Sequence, residues 1–202
     1  MLFSNKLIYV LALASMAILQ FCNKEIPYEV LIEKQRLEKD FTMRNSEGSP
    51  FAHDIYSYKG LEYFPPDEKF KVVARYQPYT GIEKVSLPTS DNLTREYYKY
   101  GYAEFELGGV NNKLLIFQPV TENMDAGGLF LGFGDATSAN ETYGAGRYLD
   151  IKHNGGKTIT LDFNLAYNPY CAYSDAYSCP IPPRENFLSI PVYAGEKDYK
   201  RH

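Results

Sequence analysis

Beyond Leu61 the chain alternates apolar and polar side chains with a period of two, and glycine- and asparagine-rich turns cut that pattern into short runs, which confines it to antiparallel β architecture. Residues 70–76 are rich in β-formers, residues 82–87 form a second run, and Tyr98, Tyr100 and Tyr102 alternate ahead of Phe105 and Leu107. Gly108-Gly109 and Asn111-Asn112 separate that run from residues 114–117. Asn154-Gly155-Gly156 separates residues 148–152 from residues 158–163 in the same way, so two hairpins are expected. Residues 129–133 and 188–193 bring the expectation to roughly eight short strands. No helices alternate with them, so a parallel sheet is disfavoured. The expected fold is mainly β: an antiparallel β-barrel or sandwich with one N-terminal α-helix packed on it.

That helix is read over residues 27–43, where Pro27 suits a first helical position and good helix formers follow without a glycine. Val30, Leu37 and Phe41, with Leu31 beside them, make one apolar side, and Glu33, Lys34, Arg36, Glu38 and Lys39 fill the other. The apolar side is expected to dock on the sheet. Gly48 and Pro50 end the helix.

Ahead of it lies an address. Lys6 precedes an apolar stretch over residues 7–19, too short to span a bilayer and of the length of a secretory core. Leu19-Gln20-Phe21-Cys22 resembles a bacterial lipobox, with Phe21 larger than the residue usual before the cysteine. The expectation is a signal peptide over residues 1–21, lipidation on Cys22, a tether over residues 22–26 and a single β-rich domain over residues 27–202. Localisation is then the cell envelope, with the bilayer as partner through the acylated Cys22. Cleavage after Ala14 and soluble export is the alternative. A net charge of −4 leaves no basic surplus for a phosphate backbone, so nucleic acid is not an expected partner.

Polar chemistry concentrates between Asp135 and Asn186. Asp135, Glu141, Asp150 and Asp162 are candidate ligands for a hard divalent ion or a general acid and base pair. The structural alternative pairs Arg147 with Asp162 or Glu141 at the mouth of the barrel. Gly144 and Gly146 lack the following Lys-Ser/Thr and the strand-to-helix turn of a phosphate loop, so a tight turn explains them better. With Cys22 acylated, Cys171 and Cys179 remain as a pair, and an oxidising compartment favours a disulfide between them. Zinc would need two more ligands, and His53, His153 and His202 are scattered. Ser138, Ser174 and Ser178 lack a nucleophile elbow.

The Glu-Thr-Tyr-Gly-x-Gly-Arg-Tyr block at residues 141–148 and the Leu-Asp-Phe-Asn-x-Ala-Tyr-Asn-Pro block at residues 161–169 resemble the bacterial and archaeal family 1684 of domains of unknown function. Cys-Ala-Tyr at Cys171, Cys-Pro-x-Pro-Pro at Cys179 and Ala-Gly-Glu-Lys from Ala194 to Lys197 extend the resemblance. It implies no reaction, and it marks these blocks as the family's signature. Ala139-Asn140 stands where a glycine is common before the first block, and Tyr170 where a second proline is common. Relatives without a signal segment imply free thiols as the alternative state of the cysteine pair.

These residues support a binding domain whose mouth is lined by Glu141, Tyr143, Arg147, Tyr148, Asp162, Asn164, Tyr167 and Asn168. Its ligand is expected to be a small polar or anionic molecule, with Arg147 as charge partner. No cofactor is expected. The rivals are a metal-dependent, hydrolase-like enzyme using Asp135, Glu141 and Asp162, and a structural envelope protein without a ligand.

Overall fold

Strand-forming runs separated by turn residues give seven antiparallel strands in the computed structural model, which describes residues 25–120 and 128–199. In chain order they are β1 (Lys71–Pro78), β2 (Lys84–Pro88), β3 (Thr94–Leu107), β4 (Val110–Pro119), β5 (Leu129–Phe133), β6 (Arg147–Ile151) and β7 (Thr158–Asp162). They form one sheet in the order β6-β5-β4-β3-β1-β7, with β2 joined to β3 off this path. The sheet curls into a half-barrel around Leu114, Ile116, Leu131, Phe133, Leu161 and Phe163, all fully buried. The signal segment and Cys22 lie outside the described residues. No helix among those described is long and apolar enough to cross a membrane.

The β3–β4 hairpin forms as its turn residues require. Leu107 pairs with Val110 across Gly108 and Gly109, whose φ values of 63° and 75° are those of a turn matched to strand twist. Asn111 and Asn112 belong to β4 instead of the turn.

The second expected hairpin does not close. β6 pairs with β5 and β7 with β1, and no ladder joins β6 to β7 although Asn154-Gly155-Gly156 connects them. Tyr148 instead exchanges both backbone hydrogen bonds with Tyr167, at 2.8 and 3.0 Å, so the chain just after β7 takes the place of β7 beside β6. The half-barrel is therefore slit between two strands that are consecutive in sequence.

The eighth expected strand, residues 188–193, is irregular. Pro191 removes one ladder donor. The Val192 amide is taken by the Asp135 carboxylate at 3.1 Å and the Val192 carbonyl by Arg147 at 3.0 Å, so side chains replace a neighbouring strand.

The helix α1 (Tyr28–Asn45) is present, but its expected face is reversed. Ile32, Arg36 and Met43 are buried, whereas Val30, Leu31, Leu37 and Phe41 are exposed, Leu37 and Phe41 by 69% and 68%. Two cations and two aromatic rings decide the orientation. The Arg36 guanidinium lies 4.5 Å from the centre of the Tyr63 ring and donates to the Asn164 carbonyl at 3.3 Å. Lys39 lies 4.3 Å from the Tyr167 ring and pairs with the buried Glu196 at 2.9 Å. Their aliphatic stems supply the apolar contact that leucines were expected to make.

Ile32→Ala is expected to lower the free energy of unfolding by about 2–4 kcal/mol, and Leu37→Ala by less than about 0.5 kcal/mol. Urea denaturation of the two variants separates the observed docking face from the expected one.

Candidate functional site

Strand alternation divides the residues expected to share one mouth. Along β6, Arg147, Leu149 and Ile151 point into the half-barrel while Tyr148 points to the opposite face, where it packs with Cys171 and Cys179. The Glu141 side chain is exposed to solvent, and the Tyr143 hydroxyl lies 3.8 Å from the Cys171 sulfur. A single mouth containing all eight residues is not formed.

Arg147 is a structural charge. It enters the core after Gly146, whose φ of 92° and whose approach of 2.6 Å from a would-be Cβ to the Phe133 carbonyl exclude other residues. Its partner is Asp135, at 2.9 Å, instead of Asp162 or Glu141. Its terminal nitrogens also reach the carbonyls of Val192 (3.0 Å), Glu196 (3.2 Å) and Ala194, while Nε has no hydrogen-bond partner among the described residues. Asp135 Oδ1 accepts from the Thr137 amide and hydroxyl as well as from Val192. Burial disfavours the Arg147 charge, and the Asp135 carboxylate opposes that effect.

Three buried asparagines, Asn164, Asn168 and Asn186, serve the same end. Asn164 accepts from the Asp67 amide and donates to the Asp67 carbonyl, both at 2.9 Å, standing in for a strand neighbour. Asn168 donates to Glu196 Oε1 at 2.9 Å and to the Lys197 carbonyl at 2.7 Å. Asn186 bridges Leu115 of β4 to Gly132 of β5, where those strands splay. Glu196, 1% exposed, collects Lys39, Asn168 and Tyr173. Sequence reasoning quoted Glu196 only as part of a motif.

The carboxylates expected to share a metal do not meet. Among the described residues no three His, Cys, Asp or Glu side chains form such a group. Asp135 is committed to Arg147, Glu141 faces solvent, and Asp162 Oδ1 accepts from the Tyr28 hydroxyl at 2.8 Å and twice from Asn164 at 3.1 Å. The expected disulfide is likewise not formed. Cys171 and Cys179 are buried and not bridged to each other, and the Cys171 amide donates to the Cys179 sulfur at 3.1 Å.

Three of the eight residues, Asp162, Asn164 and Tyr167, do line a common cavity. It is a cleft of about 850 Å³ at the slit between β6 and β7, roofed by α1. Sequence reasoning assigned no site role to the others that shape it: Arg36 and Lys39 on α1, Tyr63, Lys71 at the start of β1, and Lys152 just after β6. Four cations thus converge against Asp150 and Asp162, each of which already accepts a tyrosine hydroxyl. Neither Lys71 nor Lys152 forms an ion pair among the described residues. Leu149, Ile151, Ile159 and Leu165 provide an apolar floor.

Two polar atoms in this wall, Arg36 Nε and Tyr63 Oη, are buried with no hydrogen-bond partner among the described residues. Burial pushes the Tyr63 hydroxyl well above its ordinary range, so at neutral pH it is a donor. The His153 ring is engaged at both nitrogens: Nε2 lies 2.7 Å from the Gly156 carbonyl and Nδ1 lies 2.8 Å from the Tyr100 hydroxyl. A carbonyl only accepts, so Nε2 donates to Gly156, and in the neutral ring Nδ1 accepts from Tyr100.

Arg147→Met is expected to cost about 3–5 kcal/mol of stability because it strands the buried Asp135, and Asp135→Leu/Arg147→Met to cost less than Arg147→Met alone. Urea titration of the single and double variants measures both. Native protein is also expected to resist maleimide labelling at Cys171 and Cys179, with both reacting promptly once unfolded. A mass two units lower without reduction, and no labelling in denaturant, would show a bridge instead.

Similarities to known proteins agree with this architecture. The solution NMR structure of an uncharacterised protein of Haloarcula marismortui, from gene locus rrnAC0354, matches with a TM-score of 0.66 and 36% identity. The match covers 84% of this chain and 94% of that one. No curated protein matches. The model of the family described as a protein of unknown function, DUF1684, matches residues 56–197, which takes in β1 to β7 and every signature block, and the chain therefore belongs to the DUF1684 family.

Proposed function

We propose that this protein is an exported binding domain, anchored in the cell envelope by acylation of Cys22, that takes a small polar ligand bearing an anionic group into the cleft between α1 and the β6–β7 slit. One observation carries the reading: four cationic side chains line a single cleft in a chain whose net charge is −4, and two of them, Lys71 and Lys152, have no ion-pair partner among the described residues. A concave site with an apolar floor and a few convergent polar groups is the usual form of a small-molecule site. Lys71 and Lys152 meet the anionic group at the rim. Arg36 Nε and Tyr63 Oη supply donors deeper in the wall, and the aliphatic floor takes an uncharged portion of the ligand.

Binding without turnover is favoured over catalysis by the state of the titratable groups. Asp150 and Asp162 accept hydrogen bonds from Tyr167 and Tyr28, and both nitrogens of His153 are occupied. None of them is left aimed at a bound molecule as a free acid or base. Arg147, which sequence reasoning made the charge partner of the ligand, has no part in this reading because it does not line the cleft, and Asp135 and three carbonyls take its terminal nitrogens.

Citrate and inorganic phosphate are suitable probes. A bound anion at ten times its Kd is expected to stabilise the fold by about 1.4 kcal/mol, a rise in Tm of roughly 3–5 °C. Lys71→Glu/Lys152→Glu is expected to remove that rise while leaving the ligand-free Tm within about 2 °C, since both side chains are exposed. A rise unaffected by the double substitution would place the anion elsewhere.

A further inference from the structure

The outer side of α1 carries an apolar stripe that nothing among the described residues covers. Val30, Leu37 and Phe41 are 54%, 69% and 68% exposed, and Ile26, just ahead of the helix, is 59% exposed. At 100° per residue the three helical positions fall within one narrow sector, opposite the buried Ile32, Arg36 and Met43. The stripe runs about 16 Å along the axis. Lys34 lies within it, and Glu33, Glu38 and Arg44 flank it, so the face has both signs of charge and no cationic excess. Isolated apolar side chains on a surface are ordinary. A line of them on the side of a helix opposite its docking face marks a contact.

We propose that this stripe docks on the surface of the bilayer, with α1 lying in the interface and Leu37 and Phe41 in the headgroup–acyl boundary. The proposal rests on acylation of Cys22 as read above. Position supplies the argument. From Cys22 to the first residue of α1 the chain spans at most about 20 Å, so an acylated cysteine holds the helix close to the membrane whichever way the domain turns. The side of α1 left free by the sheet is the apolar one, and Ile26 continues it toward the anchor. Lys34 reaches the headgroups along its own methylene stem. Because the attraction is apolar and the domain acidic, docking needs no anionic lipid and persists in high salt. This orientation turns the buried side of α1, and the cleft beneath it, away from the membrane and toward solvent.

The chain contains no tryptophan, so Phe41→Trp introduces a single reporter, and Ile82→Trp, at an 86%-exposed position in the β1–β2 connection, is its control. The mature protein, extracted from a bacterial host that acylates it, is reconstituted into phosphatidylcholine vesicles with brominated chains. Phe41→Trp fluorescence is expected to shift to the blue and lose more than half its intensity, equally in low and high salt, while Ile82→Trp is unchanged. In a Cys22→Ser background, Leu37→Asp/Phe41→Asp is expected to lower vesicle partitioning by about tenfold or more. Protein that is acylated by mass and bound to vesicles, yet unquenched at Phe41→Trp, overturns docking and leaves the anchor standing. An unmodified Cys22 overturns the anchor and the proposal together. A blue shift that appears without vesicles and grows with protein concentration overturns it in favour of a second copy of the chain on the stripe.

Discussion

The buried pair of Asp135 and Arg147 holds the irregular half of this protein to its sheet. Residues 192–196 form no strand, yet Val192, Ala194, Gly195 and Glu196 are buried and their backbone groups must be satisfied. One guanidinium and one carboxylate meet the Val192 amide and the carbonyls of Val192, Ala194 and Glu196 from inside the half-barrel, and backbone partners at Phe64 and Ala166 take the Gly195 carbonyl and the Glu196 amide. An ion pair in such a place contributes little net stability relative to a well-packed apolar pair, and its value lies in fixing where a strandless segment lies. Glu196, delivered by that segment, then receives Lys39 and so orients α1.

The cleft follows from the same economy of hydrogen bonds. Tyr148 spends its outer backbone groups on Tyr167, so β6 and β7 remain unpaired and the barrel stays open along their seam. α1 covers the seam with cations, not leucines, because the surfaces offered to it are aromatic faces and a carboxylate. A cavity rimmed by positive charge and an outward apolar stripe are thus two results of one docking choice.

Strands and the β3–β4 turn were readable because a period of two and paired glycines are local properties, set by φ/ψ preferences within a few residues. The failed hairpin at Asn154-Gly155-Gly156 shows the limit of that logic. The turn residues permit pairing, but Tyr167, remote from the turn, competes for the β6 edge and wins. For Arg147 the sequence offered two roles, charge partner of a ligand and structural ion pair, and the chosen one, the ligand's partner, is not where the side chain lies. Which carboxylate it takes was not legible, because Asp135 reaches it through the neighbouring strand and not through sequence proximity. Lys71 and Lys152 carry no local signal: a lysine at a strand end is ordinary until another strand end is brought opposite.

Composition and periodicity were sufficient for a mainly antiparallel β domain with one N-terminal helix, since both rest on preferences that each short segment expresses alone. Which side of that helix faces the sheet, and hence where the cations gather, was decided only in three dimensions. Amphipathicity ranks the two faces by transfer from water to an apolar medium, and the surface that receives α1 is not apolar: it is Tyr63, Tyr167, the Asn164 carbonyl and Glu196, for which a guanidinium and an ammonium are better partners than Leu37 and Phe41.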